Sequence, residues 1–188
     1  MGLMRLQPTP LQGAWVVQAQ ALGDARGGLT RLFCARELSP IREGLRFVQT
    51  NLSRTGLKGT VRGMHFQRAP SAEAKLIRCL RGAVYDVMVD LRADSPTFGR
   101  WHAVDLSAGN DTEVFIPEGC AHGFQSLTDD VELLYQHTAF YSPEDEDGVR
   151  HDDPFLAIAW PLPISLVSER DQCHPLIGDD FQKVILSP

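Results

Sequence analysis

Apolar side chains in this sequence recur at every second position in run after run, and that period limits the fold more than any other feature. In AKLIRCLRG, Leu76, Arg78 and Leu80 fall on one face of an extended strand, with Lys75, Ile77 and Cys79 on the other. In AVYDVMVDL, Tyr85, Val87, Val89 and Leu91 stand opposite Asp86, Met88 and Asp90. TEVFIP ends at Pro117, and VELLYQHTAF resumes the pattern with Val131, Leu133 and Tyr135 on a shared face. Gly, Pro and Asp break the runs at short intervals, and RADSPTFGR is a turn-rich connector. Helix signals are scarce. ARELSPIREGLR is the best candidate, but Pro40 interrupts it, so only short helical turns fit there. The expected architecture is all-β, an antiparallel sandwich or barrel with a few short helices. A chain of 188 residues suits one domain, 1–188, with a substantial core. The Pro-rich, polar stretch from about 162 to 188 reads as an ordered tail that wraps the barrel.

Charge and cysteine usage exclude several classes. The net charge of -6 argues against nucleic acid or an anionic membrane as partner, so any anionic ligand must be held by local cations. Cys34, Cys79, Cys120 and Cys173 are scattered, with no C-x-x-C pair, and read as reduced, packed thiols. The N-terminus has no apolar core of signal-peptide length, and no stretch is long and apolar enough to span a bilayer. The expected location is the cytoplasm.

The chemistry is concentrated around VRGMHFQ, where Arg62 and His65 flank Gly63. A histidine in an alternating strand is commonly a satisfied core residue. Strict alternation also puts Arg62 and His65 on opposite faces, unless a bulge at Gly63 re-aims one of them. Of the six histidines, neither His65 nor His122 has a second histidine close by, so no metal is expected. Two further residues change the weighting. Lys75 shares a face with Ile77 and Cys79, and a buried lysine is costly unless it meets an anion. Tyr135 shares a face with Val131 and Leu133, so its hydroxyl points inward and needs a partner. A base, a cation and a phenol directed into one barrel suit proton transfer beside a carbonyl.

These motifs have a precedent. VRGMHFQ, AKLIRCLRGAVYDVMVDLRADSPTFGRW, LSAGN, FIPEGCAHGF, LLYQHTAFYSPEDEDG and DDPFLAIAWPL occur in order between about Gly23 and Asp171. Together they resemble the dTDP-4-dehydrorhamnose 3,5-epimerase family of the cupin superfamily. The resemblance implies a metal-free cupin jelly roll that needs no cofactor. It also implies an isomerase acting on a nucleotide-diphosphate-linked 4-keto-6-deoxy sugar, inverting carbon 3, carbon 5 or both. In this reading His65 is the base, Asp171 orients it and Tyr135 is the acid. Lys75 and His122 lie near the keto oxygen and the sugar. Arg26, Gln49, Asn51 and Arg62 bind the nucleotide and its diphosphate, and Glu146 and Arg170 are further ligand contacts. The family also implies a homodimer in which N-terminal strands pair across subunits.

The chain departs from the family pattern in two places. Around DARGGLTR, Ala25 and Arg31 stand where glutamates are usual, and Gly28 where an aromatic is usual. An aromatic platform and a hydrogen-bonding carboxylate are lost, so a cytidine- or guanosine-linked sugar is an alternative to a thymidine-linked one. Phe140 occupies a position where the family often has a tyrosine, which leaves a mono-epimerase open. A non-catalytic nucleotide-sugar-binding cupin is the alternative outside enzymes. It would be expected to lose one of His65, Asp171 and Tyr135, and all three are present.

Overall fold

The structure is a computed structural model and describes residues 4–178 and 180–186; residues 179, 187 and 188 of the expected tail lie outside these. Thirteen strands follow one another: Met4–Pro8 (β1), Trp15–Ala19 (β2), Leu22–Asp24 (β3), Gly27–Leu29 (β4), Gln49–Thr55 (β5), Val61–Gln67 (β6) and Lys75–Arg81 (β7), then Ala83–Asp90 (β8), Trp101–Ser107 (β9), Thr112–Ile116 (β10), Cys120–Ser126 (β11), Val131–His137 (β12) and Glu146–Gly148 (β13). One sheet has the order β1-β2-β10-β7-β12-β5 and the other β13-β6-β11-β8-β9, while β3 and β4 form a separate hairpin. Every pairing between these strands is antiparallel.

The two sheets face each other across a shared core, and the period-two alternation explains why. Ile77, Cys79, Val131 and Leu133 of one sheet pack with Val84, Met88 and Phe124 of the other. The opposite set of alternating residues is also covered. Val87, Val89 and Leu91 lie under Val149, Leu156, Ile158 and Val184 from the C-terminal third of the chain. Leu76 and Phe115 lie under Leu38 and Leu45. Both faces of β7 and β8 are therefore buried where a cover exists, and Leu80 and Arg81, beyond the cover, are exposed.

Helix is scarcer than the sequence suggests. The one α-helix among the described residues is Glu169–Gln172 (α1), capped by Ser168, whose side chain accepts from the Asp171 N–H. Around Pro40 the chain makes turns instead. Leu38 N–H donates to the Cys34 carbonyl and Arg42 N–H to that of Leu38, but Pro40 has no N–H to continue a ladder. The C-terminal segment touches both ends of the sandwich through bridges from Leu166 to Thr60 and from Val184 to Arg92.

Candidate active site

A cavity of about 490 Å³ opens between the two sheets at one end of the sandwich. Gln49 and Asn51 from β5, Lys75 from β7, and Tyr135 and His137 from β12 line it on one side. Arg62 and His65 from β6 and His122 from β11 line it on the other, with Glu146 and Arg170 nearby.

Arg62 and His65 reach the same cavity because β6 carries a bulge. His65 pairs with His122 and Arg62 with Phe124, so three steps on β6 match two on β11. The extra residue turns both side chains to the inner face. The Gly63 N–H, released from the ladder, donates to Asp171 Oδ2 at 3.1 Å. The other Asp171 oxygen, Oδ1, lies 2.9 Å from His65 Nε2. Burial would raise the Asp171 carboxyl, but the hydrogen bonds from His65 and Gly63 outweigh it and hold the group well below the usual carboxylate range. An ionised Asp171 fixes the proton on His65 Nε2, so the lone pair sits on Nδ1. Among the described residues no hydrogen bond reaches that Nδ1.

Tyr135 faces this imidazole from the opposite sheet. Among the described residues no hydrogen bond reaches its hydroxyl, which leaves it free to bond with whatever occupies the cavity. Burial, and then the charge of Asp86, push the phenol above its ordinary value, which keeps it protonated at neutral pH. The rings of His122 and His137 flank it at 5.6 and 6.1 Å.

Lys75 is almost fully buried and meets its anion within the chain: Nζ lies 3.1 Å from Glu73 Oε1 and donates to the His65 carbonyl at 3.1 Å. His122 Nε2 lies 2.8 Å from Asp86 Oδ2. Burial raises the Asp86 carboxyl, and His122 and Lys75 oppose the shift. Arg62 donates to Ser53 Oγ and the Arg54 carbonyl, both at 3.2 Å. Gln49 Oε1 accepts from the Tyr141 N–H at 3.1 Å. Glu146 accepts from the Tyr141 hydroxyl at 2.7 Å and pairs with Arg170 at 3.1 Å. Arg170 Nη2 also lies 3.2 Å from His65 Nε2.

Arg26 is placed elsewhere. It sits in the turn between β3 and β4, is paired with Asp24, and its side chain is 89% exposed. Both strands of that hairpin are exposed, and no described residue before Gln49 lines the cavity. Arg31 is occupied by Glu37. Phe140 is exposed and does not line the cavity, whereas Tyr141 does.

Sequence reasoning missed Asp86, Glu73 and His137. Asp86 had a signal, because it alternates onto the same face as Met88. His137 had one too, two residues beyond Tyr135 on the same face. Burial, with Lys75 and His122 nearby, pulls His137 down to about 4, so it is a neutral ring at physiological pH. His174 lies edge-on to His65, ring centres 5.6 Å apart, and burial lowers it.

Comparison with known proteins gives the same picture. The family profile of dTDP-4-dehydrorhamnose 3,5-epimerase matches residues 8–179. A dTDP-4-dehydrorhamnose 3,5-epimerase of Sinorhizobium fredii is 38% identical over 92% of this chain and 89% of its own length. A dTDP-4-dehydrorhamnose 3-epimerase of Streptomyces niveus is 41% identical over 94% of this chain and 85% of its own length. The crystal structure of the 3,5-epimerase of Bacillus anthracis with TDP and PPi bound is 38% identical, covers 93% of this chain and 99% of its own, and superposes with a TM-score of 0.89. The chain therefore belongs to the dTDP-4-dehydrorhamnose 3,5-epimerase family and has its cupin-like, all-β fold.

Proposed function

We propose that this chain inverts carbon 3, carbon 5 or both in a dTDP-linked 4-keto-6-deoxy sugar, without a cofactor. The ketone acidifies the hydrogens on its two neighbouring carbons. His65 Nδ1 removes one of them, the C–H electron pair becomes the enolate double bond, and the carbonyl oxygen takes the negative charge. Asp171 offsets the imidazolium that forms. Lys75 and the His122 ring stabilise the enolate oxygen. Tyr135 then delivers its hydroxyl proton to the opposite face of the carbon. The observation that carries this reading is that His65 and Tyr135 come from facing sheets into one cavity, which is what inversion by two groups requires.

Arg62, Gln49 and Asn51 hold the nucleotide diphosphate in this reading. Arg170 turns from Glu146 to join them. Arg26 reaches the site from a second copy of the chain, making the working unit a homodimer. The exposed β3–β4 hairpin, with Leu22 and Leu29 uncovered, supports that role. The unpaired cysteines fit a reducing compartment, the cytoplasm.

Proton NMR of a dTDP-4-keto-6-deoxy sugar in deuterium oxide tests the reaction. The expected result is deuterium at carbon 3 or 5 with wild type and none with His65→Ala. Label at one position makes the enzyme a mono-epimerase, and label at neither overturns the proposal. Light scattering checks the homodimer, and Arg26→Ala should raise KM more than it lowers kcat.

A further inference from the structure

His174 has no part in the proposed reaction, yet it is built firmly into place. Its ring lies flat on Gly148, where a Cβ would fall 2.6 Å from both Cε1 and Nε2, so only glycine leaves room for it. Its Nε2 is buried and has no hydrogen-bond partner among the described residues. A buried ring nitrogen without a partner is costly and calls for an explanation. That nitrogen points towards Asp171, 4.0 Å from Oδ1, which is itself 2.9 Å from His65 Nε2. One atom from each of the three side chains falls within 4.8 Å of the others.

We propose that His65, Asp171 and His174 form a site for a divalent transition-metal ion of the Zn²⁺ type, and that occupation of this site shuts down the base. Two imidazoles and a carboxylate are a standard donor set for Zn²⁺, with a fourth position left to water. Ligand atoms around tetrahedral zinc stand about 3.3 Å apart, so the ion has to spread the His65–Asp171 contact slightly and draw His174 inward. Ligation uses the Nε2 lone pair of His65 and moves its proton to Nδ1. The nitrogen with the free lone pair in the metal-free chain thus becomes an N–H and cannot accept a proton from substrate. His65, Arg170 and Asp171 also border a second opening, of about 620 Å³, which gives an ion a route to the cluster from the side of Ser168. Arg170 competes for the same space, with Nη2 3.2 Å from His65 Nε2, and it must swing out when the ion enters. Its side chain is 57% exposed, which leaves it free to do so.

The inhibitory part rests on His65 being the base; the binding part does not. The test uses the full chain, stripped with chelator, and Co²⁺ as a spectroscopic substitute for Zn²⁺. One equivalent of Co²⁺ should give the visible bands of a low-coordinate site, and His174→Gln should weaken binding by at least about tenfold. In the exchange assay, Zn²⁺ should inhibit wild type reversibly, and His174→Gln should tolerate at least about tenfold more. Long-range proton–nitrogen NMR of wild type covers a variant that fails to fold: one equivalent of Zn²⁺ should shift two of the six histidines. Binding that does not depend on His174, or a shift of none or all of the histidines, overturns the site. Binding that depends on His174 in a chain without exchange activity supports the site and overturns the proposed reaction instead.

Discussion

Gly63 of β6 and Gly123 of β11 cross so closely that a Cβ on Gly63 would fall 2.4 Å from the Gly123 Cα. Gly63 also has φ of +133°, a region that side chains rarely adopt. Steric space and backbone conformation thus both require glycine at the bulge that turns Arg62 and His65 to one face. Gly63→Ala is expected to destabilise the fold by about 3 kcal/mol or more, the sum of backbone strain and overpacking. Urea unfolding measures this, and a loss below 1 kcal/mol would show that the strands can part without cost.

The pairing of Asp171 with His65 makes a kinetic prediction. Asp171→Asn keeps the shape but can donate to Nε2 and so favours the wrong tautomer, with the proton on Nδ1. kcat should fall by about 10²- to 10⁴-fold with the fold intact by circular dichroism. An Asn variant within threefold of wild type would mean that Asp171 does not set the tautomer.

Much of the fold was readable because it follows from local alternation. The inward set of Ile77, Cys79, Val131, Leu133 and Tyr135 could be read from period two alone. The bulge at Gly63 could be named only as a condition, because the sequence does not show that β11 offers a glycine opposite it. Asp171 is 106 residues from His65, and the ladder that governs strands has no bearing on a carboxylate delivered by one turn of helix in the tail. Its pairing therefore follows from the family resemblance and not from spacing. Asp86 and Glu73 are hidden in the sequence for a different reason. A charged residue, whether in a strand like Asp86 or just before one like Glu73, reads as solvent-facing until the partner that justifies its burial, His122 or Lys75, is seen beside it.

A buried carboxylate outside the cavity, that of Glu113, makes stability depend on pH. Burial, reinforced by Asp111 and opposed by Arg78, raises Glu113 to about 8 from an ordinary 4.5. Between those two values the folded chain holds a proton that the unfolded chain has released. The stabilisation is complete below 4.5 and disappears as pH rises through 8. Glu113→Gln supplies a neutral side chain of the same shape, and Arg78 keeps Asp111 as a partner. The variant should match wild type near pH 4.5 and melt higher near pH 9, each 1 kcal/mol gained being worth about 2–4 °C in a chain of this size. A variant that melts lower at about pH 9 would mean that the Glu113 carboxylate is ionised and held by Arg78.

Tyr135 allows the two halves of the proposed inversion to be separated. Its hydroxyl is its only means of returning a proton, and its ring is held between His122 and His137 whether or not that hydroxyl is present. Tyr135→Phe should therefore leave the cavity wall and His65 in place. In this variant His65 still removes a hydrogen, exchanges it with solvent and gives it back to the same face. Deuterium should enter the sugar with retained configuration, at a rate within about tenfold of wild type. Formation of the inverted product should fall by about 10²- to 10⁴-fold, the usual value of a positioned general acid. Both quantities come from one NMR time course. If exchange and inversion fall together, Tyr135 is needed for the first proton transfer as well. If inversion continues at the wild-type rate, the proton comes from another group, and His122 and His137, the rings on either side of Tyr135, are the first to test.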